Sequence, residues 1–128
     1  MASGVLSLER QRSGARGPKP TDLKGASSEL IAAAVFLKRG YEVFWPASYS
    51  GPVDFLVLDA RRTYSVQVKS AHLSRGKTLR VNTSASKYTE ASFDILVAVC
   101  PEGKVRGVLW KSVYPRHTLE FLTDMVPL

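Results

Sequence analysis

The chain has 128 residues, 45% of them hydrophobic, enough for one domain with a single core and little to spare. A charged fraction of 23% excludes wholesale disorder, and a single cysteine, Cys100, excludes an internal disulfide and a cysteine-based zinc cluster. Lys and Arg number 18 against 11 Asp and Glu, a formal net charge of +7 that favours polyanionic partners, nucleic acid ahead of an anionic membrane.

In chain order, residues 1–23 stand apart. Arg10, Arg12, Arg16 and Lys19 are interspersed with Gly14, Gly17, Pro18 and Pro20. This reads as a flexible basic arm, either a tail that follows DNA phosphates or a dispensable leader. A folded domain is expected over 24–128. Its first element is a helix from about Gly25 to Arg39. Leu30, Ile31, Ala34, Val35 and Leu37 recur at helical spacing, Ser27 or Ser28 caps the start, and Gly40 supplies a left-handed stop. Glu29 then falls in the first turn, where a negative charge favours the helix.

Strand signals follow at Tyr41–Trp45, Val53–Leu58 and Tyr64–Lys69, with Arg61 and Arg62 in the turn between the last two. Residues 73–91 are polar; a short strand at Leu79–Asn82 and the start of a short helix at Thr83–Lys87 are expected. Ile95–Cys100 is a buried-strand pattern, and Pro101, Glu102 and Gly103 turn the chain into Val105–Trp110, which pairs back as a hairpin. A helix packed on a mixed sheet gives an α/β or α+β domain. No apolar run approaches the ~20 residues that span a bilayer. The N-terminus lacks an apolar signal core, so no membrane association and a cytoplasmic location are expected.

Chemistry concentrates around Asp54, which interrupts an apolar run. A carboxylate in a buried strand is costly unless a partner or a cation neutralises it. It is either a strand-end acid paired with Arg61 or Arg62, or a metal ligand. In Gln67-Val68-Lys69 the strand period puts Gln67 and Lys69 on one face and turns Val68 to the other. If the two strands form an antiparallel hairpin, Asp54 sits opposite them. Otherwise Gln67 and Lys69 are the solvent face of an edge strand. A carboxylate, an amide oxygen and an ammonium at one end of a sheet suit metal-assisted phosphodiester hydrolysis. Mg2+ takes hard oxygen ligands and is held by one or two carboxylates, and a nearby lysine orients water or stabilises developing charge.

Pro52-Val53-Asp54 followed by Gln67-Val68-Lys69, downstream of the Glu29 helix, resembles the P-x-D and (D/E)-x-K signature of the PD-(D/E)XK nuclease superfamily. The branch with group I intron-type homing endonucleases is most similar, because members there carry glutamine where most of the superfamily has an acid. Archaeal Holliday-junction resolvases are the next relatives. The resemblance covers residues 24–110. It implies a restriction-endonuclease-like α/β fold, a central mixed sheet flanked by α-helices, and a Mg2+-dependent DNA endonuclease in which Mn2+ substitutes. It further implies Asp54 as principal metal ligand, Gln67 at the second ligand position, the Val68 carbonyl and Glu29 completing the metal site, and Lys69 as the transition-state cation. The substrate class is double-stranded or branched DNA. Cutting both strands requires a homodimer at least, and a homotetramer fits the branch. The alternatives are a Holliday-junction resolvase and a nuclease-like DNA- or junction-binding module that has lost catalysis.

Arg75, Lys77, Arg80 and Lys87 form either a DNA-facing surface that holds phosphates or a solvated segment, and Tyr49 lies in a loop beside Asp54 that is expected to approach DNA. Asp94 is expected to end a strand, Cys100 to fill the core, and Tyr88 and Phe93 to be core or hinge aromatics. His72 and His117 are far apart in sequence and are not expected to share a metal.

Overall fold

A computed structural model of the chain describes residues 20–48 and 51–128. Most of the basic arm and Tyr49 therefore lie outside the described residues. The first helix, α1, spans Pro20–Lys38. It starts five residues before the expected Gly25, because Pro20 suits a first helical position and Asp22 suits a first turn. Ser27, Ser28 and Glu29 consequently sit mid-helix. Neither serine caps a start, and the charge of Glu29 has no helix terminus to stabilise. The C-terminus is as expected. Gly40 takes φ 91, its N–H donates to the Leu37 carbonyl at 3.0 Å, and the Tyr41 N–H reaches the Phe36 carbonyl at 3.0 Å. The Phe36 and Tyr41 rings meet edge-on at 5.5 Å, closing this helix stop with an apolar contact.

The strands are β1 (Glu42–Phe44), β2 (Phe55–Leu58), β3 (Thr63–Ser70), β4 (His72–Ser74), β5 (Thr78–Asn82), β6 (Ile95–Val99), β7 (Val105–Leu109), β8 (Thr118–Glu120) and β9 (Val126–Pro127). A 3-10 turn occupies Ala85–Lys87 and a one-turn helix, α2, spans Trp110–Val113. Six strands form one sheet in the order β1-β2-β3-β6-β7-β9, and β4-β5-β8 form a smaller one. The large sheet is mixed: β3 and β6 run parallel, and its other pairs are antiparallel. This is the expected central mixed sheet of an α/β fold. Strand β3 lies inside it between β2 and β6, so Gln67 and Lys69 are not on an edge strand.

Both faces of the large sheet are covered. On one, α1 lays Ala32, Ala33 and Phe36 against Phe55, Val57, Val66, Val68, Val97 and Val99. Small alanines let the helix sit close, and the leucines that marked its periodicity, Leu30 and Leu37, stay exposed. On the other face, Leu96, Ala98 and Cys100 pack with Phe93, Trp110, Val81, Leu119, Phe121 and Met125. Here the cover is the small sheet with the 3-10 turn and α2. Burial on both sides explains why β6 reads as an unbroken apolar run.

Strand β5 matches the short strand expected at Leu79–Asn82, but its hairpin partner β4, at His72–Ser74, was not revealed by the sequence pattern. The turn of this hairpin places Arg75 and Gly76 at φ 54 and 69, the left-handed pair that tight hairpins prefer, and the Lys77 N–H returns to the Ser74 carbonyl at 3.1 Å. Arginine is an unusual occupant of that conformation and hid the turn. Strand β8 then pairs with β5 across 36 residues or more of chain (Asn82 with Thr118), a register no local pattern could announce.

Candidate functional site

The site arises where β3 outruns β2. The Asp54 N–H donates to the Val66 carbonyl at 2.8 Å, so the backbone groups of Val66 face β2. The strand period turns the N–H and C=O of Val68 the same way. But β2 begins only at Phe55 while β3 continues to Ser70, so the Val68 groups lie beyond the end of their neighbour. The Asp54 carboxylate fills part of the gap: its Oδ2 accepts the Val68 N–H at 2.6 Å. The Val68 carbonyl is met by the Gln67 side chain, whose Nε2 donates at 3.3 Å. Gln67 itself is buried. Turning its amide over would set Oε1 beside the Val68 oxygen, two neutral hard donors next to a carboxylate.

Glu29 approaches from α1. The helix is tied to β3 one residue away, where the Ser28 and Ser70 hydroxyls meet at 2.8 Å. The Glu29 carboxyl is raised above its ordinary value of 4.5, first by burial and then by repulsion from Asp54. Asp54 is raised above 3.8, chiefly by burial, against the lowering effects of the Val68 N–H and the Lys69 charge. Two carboxylates thus share one partly buried neighbourhood, both are pushed toward their neutral forms by burial, and the Asp54 charge adds to the shift of Glu29.

Lys69 completes the group. Its Nζ donates to the Tyr88 hydroxyl at 3.2 Å and to Ser84 Oγ at 3.5 Å, and lies 5.3 Å from the Tyr88 ring centroid. Ser84 holds a left-handed backbone, φ 55, with its N–H donated to Asn82 Oδ1 at 3.0 Å. A non-glycine residue in that conformation is a local strain of the kind found at functional sites. Tyr88 was expected to be core or hinge. It packs edge-on against Phe93 and Trp110 and also presents its hydroxyl to Lys69. The separation of 19 positions between Lys69 and Tyr88 left no local signal of that contact.

The structure therefore brings Glu29, Asp54, Gln67, Val68 and Lys69 together. Arg61 and Arg62 do not pair with Asp54: among the described residues the ion pairs are Arg80–Glu120 and Arg116–Asp124, the Arg62 guanidinium lies over the Tyr64 ring at 4.9 Å, and the backbone N–H groups of both arginines meet Asp59 Oδ1 at 2.8 Å, which closes the β2–β3 turn. Asp94 is structural, as expected: it accepts the Ser65 N–H at 2.9 Å and hydroxyl at 3.2 Å. Arg75 and Lys77 occupy the β4–β5 turn, Arg80 lies on β5 with Glu120 at 3.9 Å, and Lys87 ends the 3-10 turn, all exposed. His72 and His117, remote in sequence, line one shallow groove on the small sheet. Among the described residues no group of three or more His, Cys, Asp or Glu converges on a metal-sized space.

Comparison with known proteins sets this geometry in context. No family model matches the chain. Protein 5.3 of Escherichia phage T7 is 34% identical over 86 residues, 62% of this chain and 73% of that protein. Among solved structures, a bacterial homing endonuclease superposes with a TM-score of 0.70 at 20% identity, over 80% of this chain and 78% of that one. The fold is thus that of a homing endonuclease. Among the described residues, no helix is long and apolar enough to cross a membrane.

Proposed function

The chain belongs to the family of Protein 5.3 of phage T7, and from that premise and the homing-endonuclease fold we propose a Mg2+-dependent endonuclease of PD-(D/E)XK type that hydrolyses phosphodiester bonds of double-stranded DNA. The observation that carries the reading is the gap beyond the end of β2, where the Asp54 carboxylate, the Gln67 amide and the Val68 carbonyl meet and the Glu29 carboxylate is close enough to repel Asp54. These are hard oxygen donors with two negative charges, a set that fits Mg2+ and accepts Mn2+. A divalent cation held there would draw charge from the scissile phosphate and lower the pKa of an attacking water. The residues of the chain do the rest. Asp54 anchors the site through its backbone tie to β3. Gln67, with its amide turned over from the orientation that donates to the Val68 carbonyl, would offer Oε1 to the same cation. Lys69, braced by Tyr88 and Ser84, sets an ammonium where negative charge develops on the phosphate. Bracing matters because a fixed charge needs no reorganisation as the reaction proceeds. Each chain cuts one strand, so a double-strand break needs a homodimer or homotetramer.

The test is cleavage of supercoiled plasmid with Mg2+, Mn2+ or EDTA by the wild type, Asp54→Ala and Lys69→Ala. Nicked or linear product is expected from the wild type with either metal and from neither variant. A second reading is favoured by one observation, the neutral Gln67 in a position where an acid would add a metal ligand: a nuclease-like module that binds DNA or junctions without cutting. Retained DNA binding with no cleavage under either metal would establish that module and refute the enzyme.

A further inference from the structure

The outer face of the small sheet is a groove of about 440 Å³ lined by His72, Ser74, Arg80, Asn82, His117 and Thr118. It lies apart from the carboxylate site yet is linked to it at two points. Strand β4 starts three residues after Lys69, and Asn82 accepts the N–H of Ser84, whose Oγ receives Lys69. Nothing in the hydrolytic chemistry needs this groove. We infer that it is a base-reading surface: the β4-β5-β8 sheet enters the major groove of duplex DNA beside the cut and reads base edges through Arg80 and its polar neighbours. The inference rests on the DNA-cleaving reading.

Four observations support DNA as the occupant and bases as the contact. First, no carboxylate lines the groove among the described residues. Glu120, opposite Arg80 in the register, stands outside it and holds the guanidinium in a loose exposed pair at 3.9 Å. Second, the lining carries one fixed charge, Arg80, among imidazoles, hydroxyls and an amide. Phosphates are gripped by lysine and arginine, whereas mixed donors and acceptors suit base edges. Third, the strictly cationic residues Arg75 and Lys77 stand at the hairpin tip, beyond the groove, where a sheet laid in DNA meets the backbone. Fourth, the two outer strands of a three-stranded sheet are about 10 Å apart. That rules out a minor groove of about 6 Å, whereas the two-stranded β4–β5 hairpin, which carries Arg80 and Asn82, is of the width that a major groove of about 12 Å admits. Sheets that read DNA in this manner are a known mode.

The donor inventory narrows the base. Arg80 offers only donors, and Asn82, with one lone pair of its oxygen given to the Ser84 N–H, has its NH2 to donate. Donors pair with the acceptors O6 and N7 of guanine. A guanine preference is therefore expected within the recognised motif.

The experiment is selection from a randomised duplex library with Ca2+ in place of Mg2+, using wild type, Arg80→Ala and Arg80→Lys, with enriched pools sequenced and affinities measured. Arg80 is exposed and its ion pair is loose, so both variants are expected to fold. Lysine preserves the charge but loses the guanidinium fork. A base reader predicts that Arg80→Lys keeps overall affinity within a few-fold while the preference for guanine at one position falls about tenfold or more, the rest of the enriched motif being unchanged. A uniform loss of affinity in Arg80→Ala, restored by Arg80→Lys with the same enriched motif throughout, would make Arg80 a phosphate contact and overturn the inference. So would a wild type that enriches no motif. Asp54-dependent plasmid cleavage is scored separately, so failure of the groove and failure of the nuclease reading are distinct results.

Discussion

Replacing Asp54 with Asn separates what the carboxylate does for the fold from what it does for a cation. The amide keeps the shape and an oxygen acceptor for the Val68 N–H, now at 2.6 Å from a charged oxygen. Exchanging a charge-assisted bond for a neutral one costs about 1 kcal/mol. Against this, the variant removes a half-buried charge and the repulsion with Glu29. The Asp54 carboxyl lies above 3.8, with burial the largest cause and stronger than the Val68 bond and Lys69 together. The neutral form therefore wins, and the metal-free variant is expected to melt higher than the wild type at pH 7. The pH dependence has a fixed sign. A raised folded-state pKa contributes stability that is complete below the ordinary value and is lost as pH rises through the raised one. The advantage of Asp54→Asn should vanish below pH 3.8, open above it and level off by neutrality. Added cation reverses the order. At a hundred times its dissociation constant, Mg2+ stabilises the wild type by about 2.7 kcal/mol, or about 10 °C in Tm for a domain of this size, and the variant by much less. Thermal melts in EDTA and in a Mg2+ series, from pH 3.5 to 8, measure all three effects. A metal-free variant that melts below the wild type at pH 7, or equal Mg2+ responses in both proteins, would refute the reasoning.

Other perturbations follow from the same geometry. Gln67→Glu puts a carboxylate into a buried position beside the Val68 carbonyl; about 3 kcal/mol of metal-free stability should be lost, and calorimetric titration should show tighter Mg2+ binding. Trp110→Ala empties a fully buried ring, removes its Nε1–H bond to the Thr89 carbonyl at 2.9 Å and unseats Phe93, stacked at 4.8 Å. A loss of about 3–5 kcal/mol in denaturant titration is expected. Arg75→Ala with Lys77→Ala should weaken binding equally across DNA sequences, and the slope of log K against log salt should fall by about 0.9 for each phosphate contact removed.

The parts of the molecule that were legible in sequence are those set by local rules. The β2–β3 hairpin, the Gly40 stop and the buried β6 follow from period, turn residue and apolar run, and with them came Asp54, Gln67 and Lys69. The helix start was misplaced because Ser27 and Ser28 look like caps, whereas Ser28 spends its hydroxyl on Ser70, 42 residues away. The expected apolar stripe of α1 was half right: Ile31 and Val35 pack on the sheet, but Leu30, Ala34 and Leu37 face solvent, and close packing gives the buried positions to Ala32, Ala33 and Phe36. What stayed hidden is non-local. Tyr88 reaches Lys69 only because Phe93 and Trp110 seat its ring, and His117 comes to line the same groove as His72 only through the pairing of β8 with β5.

The glutamine at position 67 makes physical sense once the charges are added. Asp54 and Glu29 contribute −2 and Lys69 +1, a sum of −1. One Mg2+ brings this to +1, and one phosphodiester to zero. An acid at 67 would leave the loaded site at −1 and would call for a second cation. Neutrality matters here because Gln67 is buried and both carboxylates are partly shielded from water, so any uncompensated charge is poorly solvated. On the proposed metal-dependent reading, this balance predicts a single-cation site in which Lys69 supplies the remaining positive charge. Its Tyr88 and Ser84 braces are then as integral to that balance as the acids. Stoichiometry decides the matter. Calorimetry or Mn2+ electron paramagnetic resonance should count one ion per wild-type chain and a second only in Gln67→Glu. Two ions in the wild type would break the charge argument while leaving the hard-donor cluster intact.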